Sequence, residues 1–312
     1  MSVTLNGGVT FGGGLTLTAA PPATPTATAG WYGGGRPGSR TTVDRITYAT
    51  DTATASSRGP LSTVTSQAAG VGNTTYGWFG GGSPSFAVTN VNRITYVTDT
   101  ATSSLRGPLS SARRYLAATG NSTDGWFGGG NAPGSPALSR VDRIEYANDT
   151  ATASVRGPLS LSRGELAAAG TTVYGWFGGG QGPVSIVDRI TYATDTDVAS
   201  VRGPLGLSIN SLAASSDNTT YGWWAGGASY VTTVQRITYA NDTATASIRG
   251  PFTIGRGYLA ASGNNTEGWF AGGYLLTSIV ERITYATDTA TASVRGPLTA
   301  TVYTLAATSG IQ

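Results

Sequence analysis

Apolar residues in this chain come in short runs, and Gly, Pro, Asp or Asn interrupts each run before a helical period can establish itself. No window carries apolar residues at the spacing of an amphipathic helix. The runs that do occur fit strands. Val43-Asp44-Arg45-Ile46-Thr47-Tyr48-Ala49 is rich in β-branched and aromatic residues. Gly125-Trp126-Phe127-Gly128-Gly129 places glycines where backbones approach closely. Thr150-Ala151-Thr152-Ala153-Ser154-Val155-Arg156 follows an Asp-Thr turn, and Leu116-Ala117-Ala118 is a short run of small apolar residues.

These four runs recur in a fixed order. The Gly-Trp tryptophans are Trp31, Trp78, Trp126, Trp176, Trp223 and Trp269, spaced 46 to 50 residues apart. Each is followed by Arg-Ile-x-Tyr, starting at Arg45, Arg93, Arg143, Arg189, Arg236 and Arg282. A turn aspartate comes next, at Asp51, Asp99, Asp149, Asp195, Asp242 and Asp288. Arg-Gly-Pro then begins at Arg58, Arg106, Arg156, Arg202, Arg249 and Arg295. Four strands per unit, six times over, predict an all-β fold: a six-bladed β-propeller. The first unit opens at Gly30 without a preceding Leu-Ala-Ala, and the chain ends with an extra one, Leu305-Ala306-Ala307. The C-terminal strand is therefore expected to complete the first blade and close the ring, leaving no open sheet edge.

Residues 30–312 form the expected propeller domain, and residues 1–29 fall outside the repeat. Thr4–Phe11 and Leu15–Thr18 read as two short strands around a Gly-rich turn, and the prolines from 21 to 25 as a stiff linker. Two isolated strands are marginally stable alone. The segment is expected to act as an anchor through Leu5, Val9, Phe11, Leu15 and Leu17. The opening residues lack the basic and apolar regions of a signal peptide, and no apolar run approaches membrane-spanning length, so no membrane insertion is expected.

Composition removes much chemistry. Cys and His are absent, and all 19 basic residues are Arg. Thiol and imidazole nucleophiles, Ser–His–Asp triads, Schiff-base lysines and ordinary zinc sites are excluded. The four glutamates (Glu145, Glu165, Glu267 and Glu281) lie in different parts of their units, and no matched carboxylate pair for glycosidase work can be named. No catalytic residue, cofactor or metal is expected.

The arginines divide into twelve framework residues, two per unit, and seven others: Arg36, Arg40, Arg113, Arg114, Arg140, Arg163 and Arg256. With Leu-Ala-Ala as strand 1 and Gly-Trp as strand 2, all seven fall in loops 2–3 or 4–1, which share one face. The turn aspartates, with Asp124, Asp197, Asp217 and Glu267, belong to the other. The expectation is a polarised disc, basic on one face and acidic on the other. Framework arginines are expected to pair with Asp44-type neighbours or carbonyls, and turn aspartates to bond their own backbone. The loops after Gly-Gly differ most between units. Phe86, Tyr230, Tyr274, Leu275 and Tyr303 there, beside the seven arginines, form a candidate binding face, since aromatic residues and Arg are common interface anchors.

The Gly-Gly, the Tyr of the following strand and the Arg before the last strand of each unit resemble kelch repeats, although the usual outer-strand Trp is missing and Trp precedes Gly-Gly instead. The full unit, GWFGGG…VDRITYATDTATASVRGPLS…LAATGN, resembles repeats of structural proteins of tailed bacteriophages, especially marine ones. That resemblance implies a non-enzymatic virion component (tail, fibre or decoration protein) with other virion proteins or further copies of itself as partners. An anionic host-surface glycan is a further expected ligand of the basic face. Nucleic acid is not, because the arginines are scattered over separate loops without a recognised motif. The alternative is a cellular kelch-type adaptor or lectin.

Overall fold

The computed structural model describes residues 9–11, 15–17, 27–134, 136–182, 184–275 and 277–310. Six four-stranded antiparallel sheets form the blades of a propeller. Blade 3 shows the pattern, with Ala117–Gly120, Asp124–Gly128, Val141–Glu145 and Ser154–Arg156 running from axis to rim. Blades 2, 4, 5 and 6 begin at Ala69, Ala167, Ala213 and Ala260. Blade 1 is built from both ends of the repeat region: Ala306–Ser309 pairs with Ala29–Gly33, with Ala306 opposite Gly33 and Ser309 opposite Gly30. The expected closure by the C-terminal strand is the observed one. Outside the propeller, Val9–Phe11 and Leu15–Leu17 pair antiparallel. Leu5 and the proline-rich stretch lie outside the described residues. No helix among the described residues is long and apolar enough to cross a membrane.

Two strand boundaries differ from the sequence reading. The third strand stops before its tyrosine, which opens a one-turn 3-10 helix, as in Tyr146–Asn148. The outer strand is three residues long, Ser154–Arg156 in blade 3, and excludes the preceding Thr and Ala residues. The short helical turn has a packing reason. It sets each tyrosine flat on the tryptophan of the preceding blade, with ring centroids 3.7 to 4.0 Å apart at all six interfaces.

The same turn presents its aspartate to that tryptophan. Trp126 Nε1 donates to Asp195 Oδ2 at 2.9 Å, Arg143 Nη1 donates to the same oxygen at 3.2 Å, and Arg156 Nε lies 3.4 Å away. One tryptophan and two framework arginines of one blade thus converge on one carboxylate oxygen of the next. The arrangement repeats around the ring, from Trp31, Arg45 and Arg58 on Asp99 to Trp269, Arg282 and Arg295 on Asp51. The turn aspartates are therefore inter-blade acceptors rather than local turn formers. The framework arginines pair with them rather than with Asp44-type residues. Since each turn Asp is paired with framework arginines of its neighbour, these residues do not form separate acidic and basic faces.

The Arg-Gly-Pro segment reinforces the joint through backbone. Gly157 N donates to Asp195 O at 2.8 Å, and Ala199 N to Pro158 O at 2.9 Å. A Cβ on Gly157 would collide with the Asp197 carbonyl, so only glycine lets the two blades meet here. The core is correspondingly divided into six apolar clusters, one per blade interface, such as Trp126, Val141, Leu159 and Leu166 against Phe177, Ile190 and Tyr192.

Asp195→Ala strands two guanidinium groups and a buried indole N–H, so it should cost about 3–5 kcal/mol of stability in urea unfolding. Asp197→Ala, at an exposed turn position of the same blade, should stay within about 0.5 kcal/mol. Burial raises the hydroxyls of Tyr48, Tyr96, Tyr146, Tyr192, Tyr239 and Tyr285 above the ordinary tyrosine value. Because the unfolded chain ionises these groups first, their contribution is complete below about pH 10 and is lost as pH rises beyond it. Urea midpoints should hold from neutral pH to about 9 and fall above about 10; equal midpoints at pH 8 and 11 would contradict this linkage.

Candidate functional site

Loops 2–3 and 4–1 meet on one face, as the alternation of strands requires, and they interlock. The second glycine of each Gly-Gly pair adopts a left-handed backbone and donates to the incoming 4–1 loop, as Gly82 N does to Arg113 O and Gly130 N to Arg163 O. Isolated bridges join Arg36 to Tyr303, Arg40 to Thr65, Val88 to Arg113 and Arg114 to Asn131.

At the axis, the last residues of the six 4–1 loops form a ring: Gln67, Tyr115, Glu165, Ser211, Tyr258 and Thr304. All six are left-handed, with φ between 53° and 61°. Each donates its N–H to the carbonyl of the one before: Tyr115 to Gln67, Glu165 to Tyr115, Ser211 to Glu165, Tyr258 to Ser211, Thr304 to Tyr258, and Gln67 to Thr304, at 2.7 to 2.8 Å. The left-handed turn lets each residue donate to one neighbour and accept from the other. Such a backbone costs a non-glycine residue about 1 kcal/mol or more, which the circular hydrogen bonding offsets. Beneath the ring lie Ala68, Leu116, Leu166, Leu212, Leu259 and Leu305, and together the two layers line a small cup of about 70 Å3 open to solvent.

The ring departs from sixfold symmetry only in its side chains. Tyr115 and Tyr258 face each other across the axis, with centroids 6.3 Å apart. Gln67 Nε2 donates to the Tyr115 hydroxyl at 2.7 Å. Asn210 Nδ2 and Ser211 Oγ both donate to Glu165 Oε2, at 2.6 and 2.8 Å. Burial, with Glu165 nearby, raises the Tyr115 hydroxyl above its ordinary value. Outward, a tyrosine cluster crosses blades 5, 6 and 1. Tyr258 meets Tyr274 at 6.5 Å, Tyr274 stacks on Tyr230 at 5.6 Å, and Tyr303 stands edge-on to Tyr274 at 5.3 Å.

The predicted face residues separate into three groups. Tyr230, Tyr274 and Tyr303 come together in this cluster, with Leu275 63% exposed beside it and Arg36 bridged to Tyr303. Tyr230 and Leu275 have φ of 54° and 86°, so the loops hold exposed side chains out on a strained backbone. Arg114 lies 5.7 Å from the Tyr115 ring, which ties it to the axial ring. Phe86, Arg40 and Arg140 sit on the same face but outside the cluster. Phe86 is 76% exposed, Arg40 Nε donates to Pro37 O, and Arg140 Nη1 donates to Ser110 Oγ.

The third group corrects the sequence reading. Arg113, Arg163 and Arg256 are fully buried and cannot contribute to a binding surface. Arg113 pairs with Asp142 at 2.7 Å, Arg163 with Asp188 at 2.8 Å and Arg256 with Glu281 at 3.0 Å. Each also donates to backbone carbonyls, Arg163 to Gly179 O and Phe177 O among them. Burial lowers the Arg113 and Arg256 guanidinium pKa values, and their acidic partners oppose the shift. At the other three interfaces the equivalent pairs are Thr65 with Asn92, Ile209 with Gln235 and Val302 with Asp44. The loop arginines that remain accessible are Arg36, Arg40, Arg114 and Arg140, each partly buried, so the face is less basic than its sequence implied.

The axial ring leaves only a faint trace in the sequence. The position before Leu/Ala-Ala-Ala carries Gln, Tyr, Glu, Ser, Tyr and Thr within an otherwise uniform run. Among the described residues, no group of three His, Cys, Asp or Glu could hold a metal. Comparison with known proteins finds no family model that matches this chain and no match among curated proteins.

Removing Arg163 leaves Asp188 buried without its cation, so Arg163→Ile should cost about 3–5 kcal/mol. The double variant Arg163→Ile, Asp188→Gln reproduces the neighbouring Ile209–Gln235 solution and should recover most of that loss. A double variant no more stable than Arg163→Ile would show that the pair matters for something other than charge compensation.

Proposed function

We propose that the protein is a non-catalytic binding propeller of a tailed-phage particle, held by its N-terminal segment and presenting the loop face to a host surface or a neighbouring virion protein. One observation carries the binding part of this reading. Six blades keep the same Trp, Arg, Asp, Tyr and Gly-Pro residues at their joints, yet differ most in the loops of one face. The residues following Gly-Gly are Arg36, Ser83, Asn131, Gln181, Ala228 and Tyr274, six types at six equivalent positions. The opposite 1–2 turns reuse one chemistry, in which the side chains of Asn73, Asn121, Thr171, Asp217 and Asn264 accept from backbone N–H groups two and three residues on. A rigid scaffold with variable loops at one end is the usual arrangement for recognition.

The non-catalytic part rests on the disposition of the acids. Glu281 is buried against Arg256, Glu267 is paired with Arg282 at 3.1 Å, and Glu145 with Arg143 at 2.6 Å. Glu165 is left at the axis with hydroxyl and amide partners and no second carboxylate to form an acid–base pair. The particle rests on the likeness of the repeat unit to phage structural repeats, and the anchor on the paired strands Val9–Phe11 and Leu15–Leu17 outside the blades.

Mass spectrometry and immunogold labelling of purified particles should find the chain on them. Deleting residues 1–26 should remove it from the particle while the isolated propeller keeps its thermal midpoint. Recovery in a cellular complex free of particle proteins would instead support the adaptor or lectin reading.

A further inference from the structure

We infer that the axial cup and the adjoining tyrosines form a saccharide subsite that takes uncharged pyranose rings in preference to acidic ones. The inference rests on the loop face being the binding face and names its ligand. The cup is amphipathic in the way a sugar ring is. Its lining includes Leu116, Leu166, Leu212, Leu259 and Leu305, and the rings of Tyr115 and Tyr258 meet over it with centroids 6.3 Å apart. A sugar ring is therefore offered the rim and the exposed Tyr230–Tyr274 stack rather than a slot between two rings. Aromatic faces attract the weakly positive C–H edge of a pyranose, and a small number of placed polar groups then orient it.

The polar groups available are of the right kind. Both protein donors to Glu165 land on Oε2, and Oε1 has no protein partner among the described residues. An ionised carboxylate oxygen accepts strongly from sugar hydroxyls. The hydroxyls of Tyr230, Tyr258, Tyr274 and Tyr303 have no hydrogen-bond partner among the described residues, and each can donate or accept.

The alternatives fit less well. A peptide strand adding to this face needs free backbone N–H and C=O groups, and the ring spends its own on itself. An acidic sugar would bring its carboxylate to Glu165. Three of the seven loop arginines that would attract it are buried in ion pairs, and Arg114 already lies against Tyr115.

The test uses the whole chain against a panel of neutral oligosaccharides and their uronic or sialic acid counterparts, by saturation-transfer NMR and printed glycan array. At least one neutral class should bind, with its ring C–H protons saturated. Tyr274→Ala should weaken it about tenfold or more, as loss of an aromatic anchor does. The isosteric Glu165→Gln should weaken neutral binding and raise the response to acidic sugars. Thermal midpoints of both variants should match the parent, and a parallel Tyr274→Phe variant keeps the ring if Tyr274→Ala fails to fold. Binding to the native target surface should also fall after mild periodate oxidation of its glycans. Absence of any neutral binder, preference for acidic sugars, or indifference to Glu165→Gln would overturn the inference. Periodate-resistant binding to the native surface that still needs Tyr274 would overturn it while leaving the binding-face reading intact, and no surface binding at all would remove both.

Discussion

A single carboxylate oxygen at each blade junction organises this molecule. The Oδ2 atom of each turn aspartate receives one indole N–H and faces two guanidinium groups, all from the preceding blade. Because the six donors sets and six acceptors run in one direction around a closed ring, every blade is both holder and held. Charge compensation is therefore local, and each junction carries two cations on one anion. The Trp–Tyr stack lies against the same joint, and the Arg-Gly-Pro backbone locks the turn that carries the aspartate. Loss of any one element would loosen the others, since all depend on the turn being held at one distance from the tryptophan.

That economy frees the loop face. With stability supplied by joints at the strand ends and between the blades, the residues around the axis need only satisfy their backbone, which they do in a closed circle of hydrogen bonds. Side chains there can vary without disturbing the fold. A symmetric scaffold made of near-identical blades then becomes an asymmetric surface, with tyrosines across blades 5, 6 and 1 and amides and a carboxylate at Asn131, Gln181, Asn210 and Glu165 on the other side.

Buried ion pairs at three of the six interfaces show how the same space can be filled in more than one way. Arg163 with Asp188 and Ile209 with Gln235 occupy equivalent positions, one charged and one neutral. Desolvation makes such charges poor sources of net stability, and what matters is that neither partner is left alone. At the closing interface Asp44 faces Val302 and is satisfied instead by the Thr299 backbone N–H and hydroxyl, at 2.9 and 2.7 Å. These arginines vary between units because they answer to their interface, and in the linear sequence that variation looks the same as variation for recognition.

What the sequence determined by itself was whatever repeats. Trp126, Arg143, Asp149, Arg156 and their counterparts announce a unit, its four strands and its number, and the stray Leu305-Ala306-Ala307 announces closure, because strand patterns and turn residues are local signals. Tertiary structure decided which partner each charge meets. Asp195 reaches across to Trp126, Arg143 and Arg156 of the preceding blade, and Arg113, Arg163 and Arg256 turn inward from loops that read as exposed. Nor could the sequence show that Gln67, Tyr115, Glu165, Ser211, Tyr258 and Thr304 share one circle. Residues up to 237 positions apart become neighbours only when the ring closes, and burial and pairing are properties of that closed ring rather than of any single unit.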